Sequence, residues 1–236
     1  MTERLHKRIA SSGYCSRRMA ERLIADGEVK VIGTVVTEMG VQVTAKDKIM
    51  VDGHTLLFDN DQLSIAFNKP LGVVTTRDDP FGAKTVMDML PREFQHLNPV
   101  GRLDRESEGL LLFTTDGELL LHLTHPRYEH EKTYEVGVWG TVEDSTIETL
   151  ARGVKLDNKQ LAPMRAKITK EEGRKTWLEI VLQEGRKRQI RRVMEQFGHS
   201  VFSLKRIAIG DLELSELKTG AYRVLTEKEI EMALAK

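Results

Sequence analysis

The sequence predicts an α+β protein of two unequal domains: two helices with a small sheet, then a mixed, largely antiparallel sheet flanked by helices. Three observations carry this. The chain, at 236 residues, is long enough for one sizeable core plus a small accessory unit. Its apolar spacing is helical and then strand-like before residue 52, and beyond residue 64 strands and helices alternate without the strict rhythm of a parallel βαβ fold. Between them GHTLLFDNDQL, residues 53–63, is polar and turn-rich. The expected division is a domain at 1–52, a linker at 53–63 and a second domain at 64–236.

From Thr2 to Ser12, Leu5 and Ile9 fall one turn apart while Arg4, Lys7 and Arg8 share another face, which predicts an amphipathic helix with Thr2 available as its cap. Ser16 is placed to cap a second helix that turns Met19, Leu23 and Ile24 inward, projects Arg18 and Arg22 together and ends at Gly27. Short strands follow at 29–32, 35–36, 41–43 and 49–51. In the second domain the predicted strands are 64–68, 110–114, 132–139, 164–168 and 177–182, with a hairpin turn at Lys170 to Lys175. Helices are predicted at 85–90, 117–123, 142–152, 188–197 and 227–234.

With 36 basic and 36 acidic residues the net charge is zero, so total charge says nothing for a polyanionic partner. Its distribution does. Residues 1–22 hold six basic side chains against two acids, and residues 185–192 hold five: Arg186, Lys187, Arg188, Arg191 and Arg192. Such clusters either form a solvated face or direct an anion to one surface. No apolar run is long enough to cross a bilayer, and no secretory signal is read. The single cysteine, Cys15, excludes an intramolecular disulfide and a multi-cysteine metal site, and fits a small buried side chain in a reducing cytoplasm. His122, His125 and His130 lack the spacing of the usual zinc ligand sets, so no metal is expected. No glycine loop for a nucleotide phosphate is found either.

The segment richest in candidate chemistry is PVGRLDRESEGLLLFTTDG, residues 99–117, where a charge-dense loop runs into an apolar strand. By spacing alone its acids Asp104, Glu106 and Glu108 could serve a glycosidase, hold a metal or be solvated loop charges. Tyr134 in KTYEVGVWG alternates as a core-packing strand residue should, Arg191 could contact phosphate, Arg102 could be a surface arginine, and Gly101 and Gly109 could serve turn geometry only.

Resemblance narrows these alternatives. GYCSRRMAERLIADGEVKVIGTVV, residues 13–36, resembles the alpha-L RNA-binding domain shared by a small-subunit ribosomal protein (S-four type), tyrosyl-tRNA synthetases and several RNA-modifying enzymes. That resemblance puts Ser16, Arg17, Arg18 and Arg22 toward RNA. GRLDRESEGLLLFTTDG resembles the aspartate motif of pseudouridine synthases, and in detail the RsuA and RluB group acting on ribosomal RNA. NKPLGVVTT at 68–76, EKTYEV at 131–136 and EGRKRQIRRVMEQFGHSVFSLKR at 184–206 continue it in order.

The resemblance implies a pseudouridine synthase catalytic domain after the RNA-binding one. Asp104 takes the catalytic aspartate's role, Tyr134 the tyrosine's and Arg191 that of the arginine paired with the aspartate. Arg102 helps fill the space left by an everted base, and Lys69-Pro70 matches a pair of structural weight. Lys187, Arg188 and Arg192 are assigned to RNA. The chemistry is consistent: a carboxylate can attack or stabilise the sugar, a guanidinium beside it favours its charged form, and a tyrosine can stack on uracil and move a proton. A uridine in folded RNA must first be flipped out, at a cost of a few kcal/mol that phosphate contacts can offset. The reaction is redox-neutral and needs no cofactor.

GELLLHLTHP at 117–126 and the EKTYEV strand look most like the B-type enzymes that act on the large ribosomal subunit. The expected partner is therefore large-subunit ribosomal RNA or a ribosome assembly intermediate, met by a cytoplasmic monomer. A small-subunit substrate and a non-catalytic RNA-binding assembly factor are the alternatives.

Overall fold

The structure, a computed structural model, describes residues 2–56, 58 and 62–235. The chain divides into two compact units, residues 1–62 and 63–236. Within the first, β1 (Thr2–Arg4), α1 (Leu5–Ser11), α2 (Arg17–Ala25), β2 (Val29–Val31), β3 (Thr34–Val35), β4 (Gln42–Thr44), β5 (Ile49–Val51) and β6 (His54–Thr55) follow in order. An antiparallel sheet β3-β2-β5-β6 and the pair β1-β4 enclose Leu5, Ile9, Ala20, Ile24, Val29, Val43, Ile49 and Val51 with the two helices.

Several expectations need correcting here. Thr2 caps nothing: Thr2–Arg4 pairs with β4, and α1 begins at Leu5 without a side-chain cap. Pairing with a neighbouring strand outweighs the helical spacing of the first turn. Ser16 does cap α2, its Oγ accepting from the Met19 amide. Met19 itself is 44% exposed and Ala20 is buried in its place. Nor does the first domain end at Asp52. The chain turns through Asp52 and Gly53, β6 pairs with β5, and Leu56 is buried in the same core. Residues 57 and 59–61 of the expected linker lie outside the described residues.

The second unit contains β7 (Ser64–Lys69), β8 (Asn98–Val100), β9 (Glu108–Thr114), α3 (Gly117–Thr124), β10 (Lys132–Trp139), α4 (Asp144–Arg152), β11 (Lys155–Leu156), β12 (Lys159–Gln160) and β13 (Arg165–Glu172). It continues with β14 (Lys175–Leu182), α5 (Gln189–Gln196), β15 (Val201–Ile209), β16 (Leu212–Glu213), β17 (Tyr222–Val224) and α6 (Glu227–Leu234). The large sheet runs β13-β14-β10-β15-β9-β7-β17, with β8 added on β9 and β16 on β15; β11 and β12 form a separate hairpin. Every pairing is antiparallel except β15 with β9. The predicted helix at 85–90 is a 3-10 turn over Met87–Met89 that stops before Pro91.

Alternation explains the layers. In β7 and β9, Ile65, Phe67, Leu111 and Phe113 pack on one face with Val86, Leu97 and Leu103, while Ala66, Leu110 and Leu112 pack on the other with α3 and α6 residues. Both strands are buried on both sides, so they read as continuous apolar runs. On the far side of the parallel junction, β10, β13, β14 and β15 pack against α4 and α5 around Val136, Leu150, Leu178, Ile180, Val193 and Met194. The fold class expected from the sequence is the one observed.

Candidate active site

β8 and β9 form a hairpin with Val100 opposite Leu112, and its connection, residues 101–107, carries Asp104. Five consecutive carbonyls of that connection are held. Leu103 O accepts from Thr75 Oγ1 at 2.7 Å, Asp104 O from the Ser107 amide at 3.0 Å and Arg105 O from the Gly72 amide at 2.8 Å. Glu106 O accepts from Arg191 Nη2 at 2.6 Å, and Ser107 O from Lys69 Nζ at 2.6 Å. With its backbone secured by donors from three other parts of the unit, the loop presents the Asp104 side chain in a fixed place.

Gly109 closes the loop where β9 meets β15. Its φ is +103°, and a Cβ there would lie 2.3 Å from the Arg206 carbonyl oxygen and 2.8 Å from the Arg206 amide nitrogen. Only glycine tolerates both conditions.

The three acids of the loop have separate fates. Asp104 lines a cavity of about 290 Å³ together with Arg102, Tyr134, Lys187, Arg188 and Leu204, and is the one acid among the described residues that does. Among those residues its carboxylate has no ion pair within 4.0 Å and no hydrogen bond. Glu106 is exposed and pairs with Arg188, whose guanidinium holds its carboxyl below the ordinary range. Glu108 starts β9 and lends its negative charge to Lys69. A hydrolase needing two carboxylates across one sugar is therefore not what this cavity provides.

Arg191, expected beside Asp104, is held to the loop through the loop's backbone. The Arg191 guanidinium donates to the carbonyls of Glu106 and, at 2.8 Å, Val201, tying α5 to the loop and to β15. Burial, and then the charge of Arg188, lower its pKa, against which Glu106 and Asp104 act through space. Arg192 pairs with Asp157 and does not line the cavity. Tyr134 stands on β10 opposite Arg206 of β15, half-buried between two apolar cores. Arg102 is exposed.

Lys69 is fully buried at the end of β7, where burial pushes its pKa down to about 8 against the opposing pull of Glu108, Asp104 and Glu106. In the other unit Arg17, Arg18 and Arg22 are exposed on α2, and Cys15 is half-buried against that unit's core. Thr75, Lys132 and Arg206 went unselected by sequence reasoning although each lies in a motif that it singled out. The available signal was a cation at an inward position of an alternating strand: Lys132 shares its face of β10 with Tyr134, Val136 and Val138.

Comparison with known proteins decides the family. A profile described as "RNA pseudouridylate synthase" matches residues 62–196, and one described as "S4 domain" matches residues 3–49. The chain belongs to the RNA pseudouridylate synthase family. It is 42% identical over 230 residues to "Ribosomal large subunit pseudouridine synthase B" of Bacillus subtilis, covering 97% of this chain and 94% of that one. It is 39% identical to an "Uncharacterized RNA pseudouridine synthase" of Aquifex aeolicus, over 98% of this chain and 93% of that one. A solved structure titled "Crystal structure of pseudouridylate synthase" superposes with a TM-score of 0.72 at 31% identity, covering 98% of this chain and 99% of that one. This pseudouridine synthase thus joins an RNA-binding S4 domain to an isomerase domain, and among its described residues no helix is long and apolar enough to cross a membrane.

Proposed function

We propose that this enzyme isomerises a uridine of large-subunit ribosomal RNA to pseudouridine, with Asp104 as the catalytic carboxylate. The observation that carries the reading is the placement of Asp104: on a backbone-tied loop, and the one acid among the described residues that lines a cavity with Tyr134. About 290 Å³ lies at the lower end of small-ligand sites, which run from roughly 300 to 1,000 Å³, and suits one everted nucleotide. The large-subunit assignment follows the name of the Bacillus relative.

In the proposed reaction the C1′–N1 bond breaks, the uracil turns within the cavity and C1′ joins C5. C5 then loses its proton and N1 gains one, so composition is unchanged and no electron acceptor, metal or nucleotide cofactor is required. Asp104 meets the sugar as nucleophile or as counter-charge to its cationic character. Tyr134 offers a ring face and a hydroxyl. Arg191 acts on Asp104 through the Glu106 carbonyl, as a positioning residue. Arg102, at the mouth, occupies the gap left in the RNA stack, while Lys187 and Arg188 contact the strand. Arg17, Arg18 and Arg22 of the S4 domain supply phosphate contacts that fix register; Ser16 serves there chiefly as the cap of α2. Arg192, paired with Asp157, is left to the periphery of the RNA. The protein works as a monomer in the cytoplasm.

The test is pseudouridine mapping across both ribosomal RNAs in cells that have the protein, lack it, or carry only Asp104→Asn. The expected result is one or more large-subunit positions lost in the latter two strains. Loss confined to small-subunit RNA would overturn the substrate, and an Asp104→Asn strain indistinguishable from wild type would overturn the chemistry.

A further inference from the structure

Beside the catalytic cavity, and sharing Gly101, Arg102, Tyr134 and Gly185 with it, lies a second cavity of about 160 Å³. Two of its walls are cations. Arg206 is 4% exposed; its Nε donates to the Leu110 carbonyl at 2.7 Å, and its buried Nη2 has no hydrogen-bond partner. Lys132 Nζ donates to the His130 carbonyl at 2.7 Å. Among the described residues neither cation has a carboxylate within 4.0 Å. Burial, and then the charge of Arg206, push the Lys132 ammonium down to about 8. The acid that does line the cavity, Glu184, is committed elsewhere: it accepts from the Ala162 amide at 3.2 Å, Gln189 Nε2 at 3.0 Å and Arg186 Nε at 3.4 Å.

Two mutually repelling cations held against a cavity whose one acid is bonded elsewhere cost stability, since a buried charge is ordinarily paired. An oxyanion bound there would receive the unused guanidinium donors and lie between both charges. The strand register fixes where such an anion sits. Tyr134 is the cross-strand neighbour of Arg206, and Lys132 is two residues away on the same face of β10. Tyr134 is thus a shared wall, with the reacting base on one side and the anion site on the other.

We infer that the second cavity takes a phosphodiester group of the RNA strand next to the isomerised nucleotide, with Arg206 and Lys132 as its ligands. This rests on the proposed RNA substrate and adds a defined contact: a backbone clamp that holds the strand while the base is out of its stack. Unlike the exposed arginines, it acts at one phosphate only, beside the chemistry.

The test has two arms, both on the full-length protein. In the first, the Arg206 Nε–H resonance is followed as inorganic phosphate replaces chloride at constant ionic strength. A saturable shift in wild type that is lost in Lys132→Gln is expected, with Arg206→Lys used to assign the resonance. In the second, affinity for a large-subunit ribosomal RNA transcript is measured against salt. Lys132→Gln should weaken binding about tenfold and reduce the slope of log affinity against log salt by roughly one, with no fall in thermal midpoint. A merely structural lysine would lower the midpoint and leave the slope alone, which overturns the assignment. A phosphate response with an unchanged slope would make this a free-anion site and also overturn it. RNA binding with an Arg206 resonance indifferent to phosphate sinks the clamp alone; phosphate binding with no affinity for the transcript sinks the substrate reading and the clamp with it.

Discussion

Replacing Lys69 with methionine separates the folding role of this buried cation from its role in holding the loop that carries Asp104. The side chain is fully buried, with Nζ bonded to the carbonyls of Ser107 at 2.6 Å and Pro70 at 3.0 Å. Its folded pKa of about 8 lies below the ordinary 10.5, so between these values the unfolded chain binds more protons and stability rises with pH. Integrated from pH 7 to 10, that rise is about 2.5 kcal/mol, and Lys69→Met abolishes it. At pH 7 the variant is relieved of roughly 3 kcal/mol of charge burial but leaves two carbonyls short of a donor, at about 1–3 kcal/mol each. The two effects nearly cancel. Denaturant unfolding of both proteins across this pH range should therefore show near-equal stability at pH 7 and a wild-type advantage of about 2.5 kcal/mol at pH 10. Pseudouridine formation at pH 7 should fall roughly a hundredfold, because a misplacement near 1 Å in a positioned group costs about that much. A stability difference that stays flat across the range, or a variant of full activity, would refute the reasoning.

Three further outcomes follow from the same geometry. Gly109→Ala should destabilise by roughly 2–5 kcal/mol, summing backbone strain and overpacking against Arg206, as read by thermal or denaturant melts; a loss under about 0.5 kcal/mol, the range of ordinary surface substitutions, would show that β15 yields easily. Arg191→Lys should retain more activity than Arg191→Ala at similar folding stability, since one ammonium can still reach the Glu106 carbonyl but not also that of Val201; equal rates for the two would deny Arg191 a positioning role. Removing residues 1–62 should weaken RNA affinity at least about tenfold through lost phosphate contacts and leave turnover on saturating RNA largely intact; unchanged affinity in a direct binding titration would remove the S4 domain from recognition.

Much of this arrangement is legible in the sequence, and the exceptions have physical causes. The strand at Lys132–Trp139 and the helix at Glu227–Leu234 match their expected bounds, one because its inward side chains alternate, the other because Thr226 and Glu229 form a capping box. The central strand β15 is hidden in the sequence. Its inward positions 204, 206 and 208 carry leucine, arginine and alanine, and the arginine interrupts the apolar alternation that marks a strand. Lys69 stands out in the sequence only through the family resemblance, since nothing in a sequence distinguishes a lysine folded under a loop from one in water. Asp104 was selected over Glu106 and Glu108 by motif, and the cavity now separates them by position. Arg191 meets the loop through the loop's backbone, its guanidinium on α5 donating to the Glu106 carbonyl, a contact that no sequence pattern announces.

The parallel junction between β9 and β15 rests on two register pairs, Lys205 with Glu108 and Arg206 with Gly109. Asp104 is rooted on one side of this seam and Tyr134 on the other. In the proposed reaction the seam is therefore the caliper of the cavity: a small sideways slip of one strand on the other would alter the gap that the turning uracil must span, while both apolar cores stay packed. Substitutions that reseat it should appear as changes in rate and target tolerance in proteins that melt normally, which makes this short contact a place where one scaffold can be retuned for differently shaped RNA.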